Sequence, residues 1–391
     1  MEDVVISSAV RTPMGGFQGD LDSFSASELG GKAIQGAMEQ AGIDRVDEVI
    51  MGNVLGAGQG QAPARQASFA AGLDETVPAT TLNKMCGSGM KAAMIGFDQI
   101  KLGQNKTLAV GGMESMSNAP YLLPKMRSGA RLGHGKAVDH MFLDGLEDAY
   151  EPGRLMGTFA EDCAEKYQFT REAQDEYALT SLENSLSAQK VGAFENEIRA
   201  VEVTDRKGAK SFVSFDEQPQ NARPDKIPHL KPAFRKNGTV TPANSSSISD
   251  GAAALILASK SYSENEGLPI RAQILGHSSY AHAPGLFTTA PVYAVKKLIK
   301  SIDWSIEMVD LWEVNEAFAV VPMAFMRELA VSRKKMNVNG GACAMGHPIG
   351  ASGARIMVTL LNALERYDLK RGIAAVCIGG GEGTAIAIER A

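Results

Sequence analysis

Cysteine is scarce in this 391-residue chain: Cys86, Cys163, Cys343 and Cys377 are the four, scattered along its length. So few and so dispersed, they form neither a disulfide framework nor a zinc cluster, and no metal site is expected. Basic charge is not in excess either. Lys and Arg number 39 against 45 Asp and Glu, a net charge of −6. No basic stripe interleaved with aromatics occurs, which argues against a nucleic-acid partner. No apolar run approaches the ~20 residues of a membrane span. A strand pattern begins at Val4, which leaves no room for a signal peptide. A reducing cytoplasm is the expected location. Also missing is a Gly-x-Gly-x-x-Gly turn after the first strand. Gly56, Gly58 and Gly60 are misspaced for it, which argues against a dinucleotide-binding oxidoreductase.

What is present is an ordinary soluble composition, with 21% charged residues and 41 glycines, in a chain long enough for more than one structural unit. Strand and helix patterns alternate. Val4–Val10, Val49–Val54, Ala79–Leu82 and Thr107–Gly111 read as strands, with helices from Ser27 to Ala41, across Arg65–Ala71 and just past Cys86. The second half repeats the order. Its strands are Arg271–His277, Val309–Glu313, Met336–Asn339 and Ile373–Ile378; its helices are Pro291–Ser301, one beginning near Glu316 and one from Ala351. Thr384–Ile388 adds a fifth strand, with Ala252–Ala258 as its first-half counterpart. This is an internal duplication. Ser88-Gly89 is read against Ser352-Gly353, and Gly111-Gly112 against Gly379-Gly380. Alternating strands and helices predict an α/β fold with parallel sheets covered by helices.

The expected division is a first half of residues 1–118 with 248–271, an insert of 119–247, and a second half of 272–391. The insert has one helical pattern near Thr170–Val191 and two basic segments. Lys125, Arg127, Arg131, His134 and Lys136 form one; Arg223, Lys226, His229, Lys231, Arg235 and Lys236 form the other. These are solvated loop charge or a site for a phosphorylated ligand.

The candidate chemistry collects at strand ends. Cys86 sits on a strand-to-helix turn, near unpaired N–H groups and the positive end of a helix dipole, an environment that lowers a thiol pKa. Gly87 and Gly89 leave room for a substrate carbonyl. The bland alternative is a buried structural cysteine. Asn315 follows the second strand of the second half, His347 the third, and Cys377 ends the fourth, where open α/β sheets place their sites. His347 lies in the glycine-rich run Gly340–Gly353, an unlikely core segment, and is a candidate base for Cys86. Cys377 precedes Gly379-Gly380-Gly381, whose amides suit an oxyanion. Asn315 equally suits a helix N-cap. Cys163 and Cys343 read as structural.

In this order, Asn83-Lys-Met-Cys-Gly-Ser-Gly-Met, Asn315-Glu-Ala-Phe-Ala, Gly346-His-Pro-Ile-Gly-Ala-Ser-Gly and Cys377-Ile-Gly-Gly-Gly resemble the motifs of the thiolase family. The match covers essentially the whole chain, with Arg11-Thr-Pro and Gly238-Thr-Val-Thr in support. The resemblance implies two βαβαβαββ halves with mixed five-stranded sheets covered by helices. It implies ping-pong acyl transfer on coenzyme A thioesters, the condensation or thiolytic cleavage of short-chain 3-ketoacyl-CoA. Cys86 is then the nucleophile, His347 its base and Cys377 the acid/base of the second half-reaction. Asn315, through a held water, and Gly379, through its amide, would serve the oxyanions. Met156, Phe234, Ser246 and Phe318 would line the coenzyme A pocket, with the basic insert segments facing its phosphates. No tightly bound cofactor is implied.

Two features qualify the match. Leu155 stands where many acetoacetyl-CoA-forming relatives have a histidine, which leaves a broader-chain 3-ketoacyl-CoA thiolase as the alternative. Pro322 falls inside the helix drawn after Asn315. The segment Asn118–His140 is similar to the insert through which tetrameric thiolases associate, so a homotetramer is expected. A cysteine thioester hydrolase using Cys86 and His347 is the rival chemistry; it leaves Cys377 and the glycine triplet without a job.

Overall fold

The computed structural model describes residues 2–205 and 207–390; Met1, Arg206 and Ala391, which fall within the three expected segments, lie outside the described residues. Strand β1 (Val4–Arg11) is buried at every position, as a strand with helices on both faces must be. Helix α1 (Ala26–Ala41) opens on a capping box between Ser25 and Glu28 and stops at Gly42, whose φ of +72° suits glycine. Then come β2 (Glu48–Gly52), α2 (Pro63–Ala70), β3 (Ala79–Leu82), α3 (Ser88–Lys101) and β4 (Thr107–Ser115). The insert carries α4 (Met156–Tyr167) and α5 (Arg171–Lys190), and β5 (Ser249–Ser259) returns to the sheet. The second half follows as β6 (Ala272–Ala281), α6 (Ala290–Ser301), β7 (Leu311–Val314), α7 (Val320–Leu329), α8 (Ile349–Arg366), β8 (Arg371–Ile378) and β9 (Glu382–Arg390).

The strands run in the order β7-β8-β9-β6-β1-β5-β4-β2-β3, with Gly15–Gly16 paired at one end of β5. Each half supplies its own mixed sheet. The sheets join edge to edge rather than face to face, where β1 pairs antiparallel with β6 and Val4 stands opposite Ile274. Helices α3 and α8 pack together at this seam. A Cβ on Gly89 would lie 2.8 Å from the Ala354 nitrogen, and one on Gly353 2.6 Å from the Met90 nitrogen. The matched Ser-Gly pairs therefore let two helix backbones touch. Helix α8 is buried from Ile349 through Leu364, which is why its sequence is apolar on nearly every side.

The duplication has a second geometric mark. The Asp47 carboxylate accepts the N–H groups of Lys106 and Thr107 (2.7 and 2.9 Å); that of Asp310 accepts those of Lys370 and Arg371 (3.0 and 2.8 Å). Pairing Thr107 with Arg371 keeps Ser88 on Ser352 without a gap. It sets Gly111-Gly112 against Ala375-Val376, so the match with Gly379-Gly380 drawn from glycine content alone is displaced by four residues. Gly111 and Gly112 answer to packing instead. A Cβ on Gly112 would sit 2.1 Å from the Gly350 carbonyl oxygen.

Other expectations shift as well. Met336–Asn339 forms no strand; a single bridge from Met336 to Trp312 marks its place. The helix after Asn315 begins at Val320, not near Glu316, so Pro322 falls in its first turn, where a missing N–H costs nothing. The delay has a cause. The buried Glu316 carboxylate accepts the Tyr177 hydroxyl (2.8 Å), the Ser181 hydroxyl (2.7 Å), the Asn337 amide (2.7 Å) and the Cys343 N–H (3.0 Å), which hold residues 315–319 out of the helix. Helix α5 consequently buries a polar face, with Gln174, Asp175, Ser181 and Ser185 among its buried residues.

Candidate active site

Strand β3 ends in a turn stapled by its own side chains. Asn83 Oδ1 accepts the Met85 N–H at 2.9 Å, and the Ser88 hydroxyl accepts from Lys84 N–H (2.8 Å) while donating to the Met85 carbonyl (2.6 Å). Met85 takes the left-handed φ of +48° that this turn needs. The result presents Cys86 just before α3, where the N–H groups of Gly379, from the other half, and of Cys86 itself favour the thiolate. Burial nevertheless pushes the thiol up to about 11, those two N–H groups opposing and the Glu114 charge adding to the rise. The lowered thiol pKa expected from the helix terminus is therefore not found, because desolvation of a thiolate outweighs one dipole and two amides. Cys86 needs a base.

The candidate base is His347. The ring is buried, and Nδ1 lies 2.5 Å from the Ser352 hydroxyl. That hydroxyl spends its single hydrogen on the Pro348 carbonyl (2.9 Å), so Nδ1 is the donor and Nε2 keeps a free lone pair. Burial first, and then the Arg355 charge, lower the imidazole to about 3, so it is neutral at pH 7. The backbone N–H of His347 donates to the Ser247 carbonyl at 3.1 Å, which pins the loop. Asn315 lies with Nδ2 3.5 Å from both ring nitrogens, too far for a directed hydrogen bond, and its buried Oδ1 has no partner among the described residues. Asn315 caps no helix, since α7 begins five residues later.

Cys377 is the penultimate residue of β8, 1% exposed and opposite Gly383 of β9. Burial raises its thiol well above the ordinary value, and the Cys86 charge raises it further, which puts the two sulfurs in one electrostatic neighbourhood. Beyond it, Gly380 and Gly381 take φ values of +90° and +83°. A Cβ on Gly381 would strike the His282 carbonyl at 2.4 Å, whereas one on Gly379 would meet only the methyl ends of Met156 (3.7 Å) and Met85 (3.9 Å). Gly379 thus faces the open side of the turn.

The four expected pocket residues form a chain of contacts leading from Gly379. Met156 begins α4; the Phe234 ring covers its neighbour Gly157. Phe234 meets Phe318 edge to face at 5.9 Å, and the Ser246 hydroxyl donates to the adjacent Ala317 carbonyl at 3.0 Å. Arg235 is engaged elsewhere, paired with Asp162 and Glu165; the remaining residues of the two basic segments are largely exposed. Cys163, in α4, is buried in the apolar cluster that also holds Phe318 and Cys377, and Cys343 lies against the Glu316 carbonyl (3.7 Å). Sequence reasoning missed two residues. Ser352 was used only to align the halves, although its place one turn beyond a histidine was a usable signal. Tyr150, near enough that its ring would lie 3.8 Å from a Cβ on Gly380, carried no signal at all.

A duplicated α/β scaffold with two thiols at the meeting of its halves and a neutral imidazole on the helix that crosses it suits thiol-dependent acyl chemistry. The chain belongs to the thiolase family: the model "Thiolase, N-terminal domain" matches residues 4–261 and "Thiolase, C-terminal domain" residues 268–390. It is 48% identical to the acetyl-CoA acetyltransferase of Pseudomonas aeruginosa, over all of both chains, and 49% identical to that of Escherichia coli, again over all of both. The crystal structure of the Bacillus anthracis acetyl-CoA acetyltransferase superposes with a TM-score of 0.96 at 41% identity, covering 100% of this chain and 99% of that one. A thiolase from Ascaris suum, solved in complex with coenzyme A, superposes at 0.93 with 41% identity over all of both chains.

Proposed function

We propose that the protein is an acetyl-CoA C-acetyltransferase, running the reversible Claisen condensation and thiolysis of short-chain 3-ketoacyl-CoA. The observation that carries this reading is the meeting of the halves at this turn: a Cβ on Gly87 would fall 2.4 Å from the Ile378 side chain and one on Gly379 3.9 Å from the Met85 methyl, which sets the Cys86 turn against the strand end that carries Cys377 and the glycine triplet. His347 Nε2 takes the Cys86 proton as the sulfur attacks the acyl carbon, and coenzyme A leaves as a thiol with the proton of Cys377. A thiol serves here because thioester exchanges for thioester, with a good nucleophile that is also a good leaving group. The amides of Cys86 and Gly379 then receive negative charge in place of the thiolate. In the second half, the Cys377 thiolate left by that transfer removes a proton from the methyl of acetyl-CoA. The carbanion forms the new C–C bond at the acyl carbon, and the Cys86 sulfur departs and regains its proton from His347. Asn315 Oδ1, with no partner among the described residues, is suited to hold the water that, with His347, stabilises the enolate oxygen.

Met156, Phe234, Ser246 and Phe318 form the coenzyme A wall in this reading, and coenzyme A thioesters are substrates rather than resident groups. The insert 119–247 then binds coenzyme A and mediates assembly. Its hairpin (Tyr121–Leu122 with Val138–Asp139) and neighbouring loop expose Tyr121, Leu123, Met126 and Leu132 by 49–84%, apolar area that fits a homotetramer. Two sulfurs that must stay reduced suit the cytoplasm. No helix among the described residues is long and apolar enough to cross a membrane.

The test is a pair of variants. Cys86→Ala is expected to abolish CoA-dependent cleavage of acetoacetyl-CoA and to form no acyl adduct by mass spectrometry. Cys377→Ala is expected to acylate Cys86 and release one equivalent of coenzyme A without turnover. Full activity in Cys86→Ala would sink the reading; CoA-independent hydrolysis would transfer it to the hydrolase. Leu155 makes chain length a separate measurement, a rate series from acetoacetyl-CoA to longer 3-ketoacyl-CoAs.

A further inference from the structure

The gap-free alignment of the halves places Gly350 where the first half has Cys86. Each of these turns faces a strand end from the opposite half. The Gly379 N–H, just beyond β8, favours the Cys86 thiolate. Gly350 donates its own N–H at 2.9 Å to the carboxylate of Glu114 on β4. Glu114 is fully buried and accepts three more donors: the N–H groups of Val54 (3.0 Å) and Leu55 (3.1 Å) and the side-chain amide of Asn53 (2.8 Å). Four donors fill the acceptor sites of a carboxylate. All four are neutral.

Those donors belong to the two parts that must stay in register for acyl transfer. Val54 and Leu55 form, with Ile349, the apolar cluster against which Met85 and Cys86 pack. Gly350 is in the first turn of α8, between His347 and the Ser352 hydroxyl that sets its tautomer. A carboxylate is an expensive group to bury. Burial pushes Glu114 up to about 7, with the N–H groups of Leu55, Val54 and Gly350 opposing and the Asp250 charge adding to the rise. We propose that Glu114 is a positioning residue for the acyl transfer, a cross-brace between the halves that holds the wall behind Cys86 and the helix carrying His347 in one arrangement. The inference rests on the function assigned above.

Glu114→Gln tests it in the full chain. The amide keeps the shape but turns an NH₂ group toward backbone N–H donors. At a temperature where circular dichroism shows a folded protein, kcat for CoA-dependent acetoacetyl-CoA cleavage is expected to fall about 100-fold, the cost of roughly 1 Å of misplacement, with KM within about twofold. Amide hydrogen exchange is expected to quicken at residues 53–55 and 347–352. Glu114→Asp, one methylene short but still charged, is expected to fall between the two. A Gln variant with parental kcat overturns the proposal. If Glu114→Gln does not fold, Glu114→Asp decides: a lower Tm with parental kcat makes Glu114 a helix cap only and overturns it. A parent protein without CoA-dependent cleavage would sink the acyl-transfer reading instead. The exchange data then decide the brace, and unchanged exchange at both segments overturns it.

Discussion

At the scale of the residue, the site works by setting two proton affinities far apart. The Cys86 thiol is pushed up and the His347 imidazole down, both chiefly by burial, so the resting site holds no charge. The tautomer is what makes it usable, and it depends on Ser352. Ser352→Ala is expected to lower kcat by about 100-fold with KM little changed, less than the ~10⁴-fold loss of an imidazole locked in the wrong tautomer because the freed ring can still sample the right one, and steady-state kinetics would check it. Stability should also register the buried ring. His347 is neutral in the fold down to about pH 3 but takes a proton near pH 6.5 once unfolded, so the unfolded chain binds more protons in that window and stability falls as pH drops through it. His347→Asn is expected to remove this part of the acid loss, read as a smaller change in urea midpoint between pH 7.5 and 5. Glu114 acts with opposite sign: raised to about 7, its folded form binds more protons between pH 4.5 and 7, and its protonation favours the fold as pH falls across that window. Both candidate sulfurs and the histidine were legible from residue type and glycine context. The direction of the Cys86 shift was not, because a sequence displays the helix terminus and hides the packing around the sulfur.

At the scale of the element, packing overrode pattern wherever the two disagreed. Helix α8 reads as a helix from its periodicity, yet its contact with α3 depends on Gly89 and Gly353, whose missing side chains let backbone meet backbone. Gly353→Ala is expected to cost about 1–3 kcal/mol by overpacking, measurable by urea denaturation, since its Cβ would press on the Met90 backbone nitrogen at 2.6 Å. Elements of ordinary length and clear caps, such as α1 and α5, were legible to within a residue or two. The helix after Asn315 was not. The four donors gathered on Glu316 come from residues 20 to 140 positions away along the chain, and no local signal announces them.

At the scale of the molecule, the insert is tied to the first half by one buried ionic knot. Arg11 lies between Glu197 (2.6 Å) and Asp216 (2.6 and 3.0 Å), all three fully buried. Arg11→Met is expected to destabilise the protein by about 3–5 kcal/mol, because it leaves two carboxylates buried without their counter-charge; a lowered Tm would show it. Assembly is a matter of the same scale. Replacing Leu123 and Leu132 by Glu is expected to shift a tetramer to dimers in light scattering while leaving each protomer folded.

From the residues alone came the duplication, the α/β class, the four motifs and the identity of both sulfurs, because each is written in local pattern: strand and helix periods, glycines at turns, a histidine in a glycine-rich loop. The tertiary structure alone decided that the halves join along β1 and β6, that Ser352 sets the imidazole and that Glu114 spans the seam. Those facts rest on contacts between residues far apart in the chain, and on burial, which turns a modest dipole or a lone carboxylate into a large electrostatic effect by removing the water that would otherwise screen it.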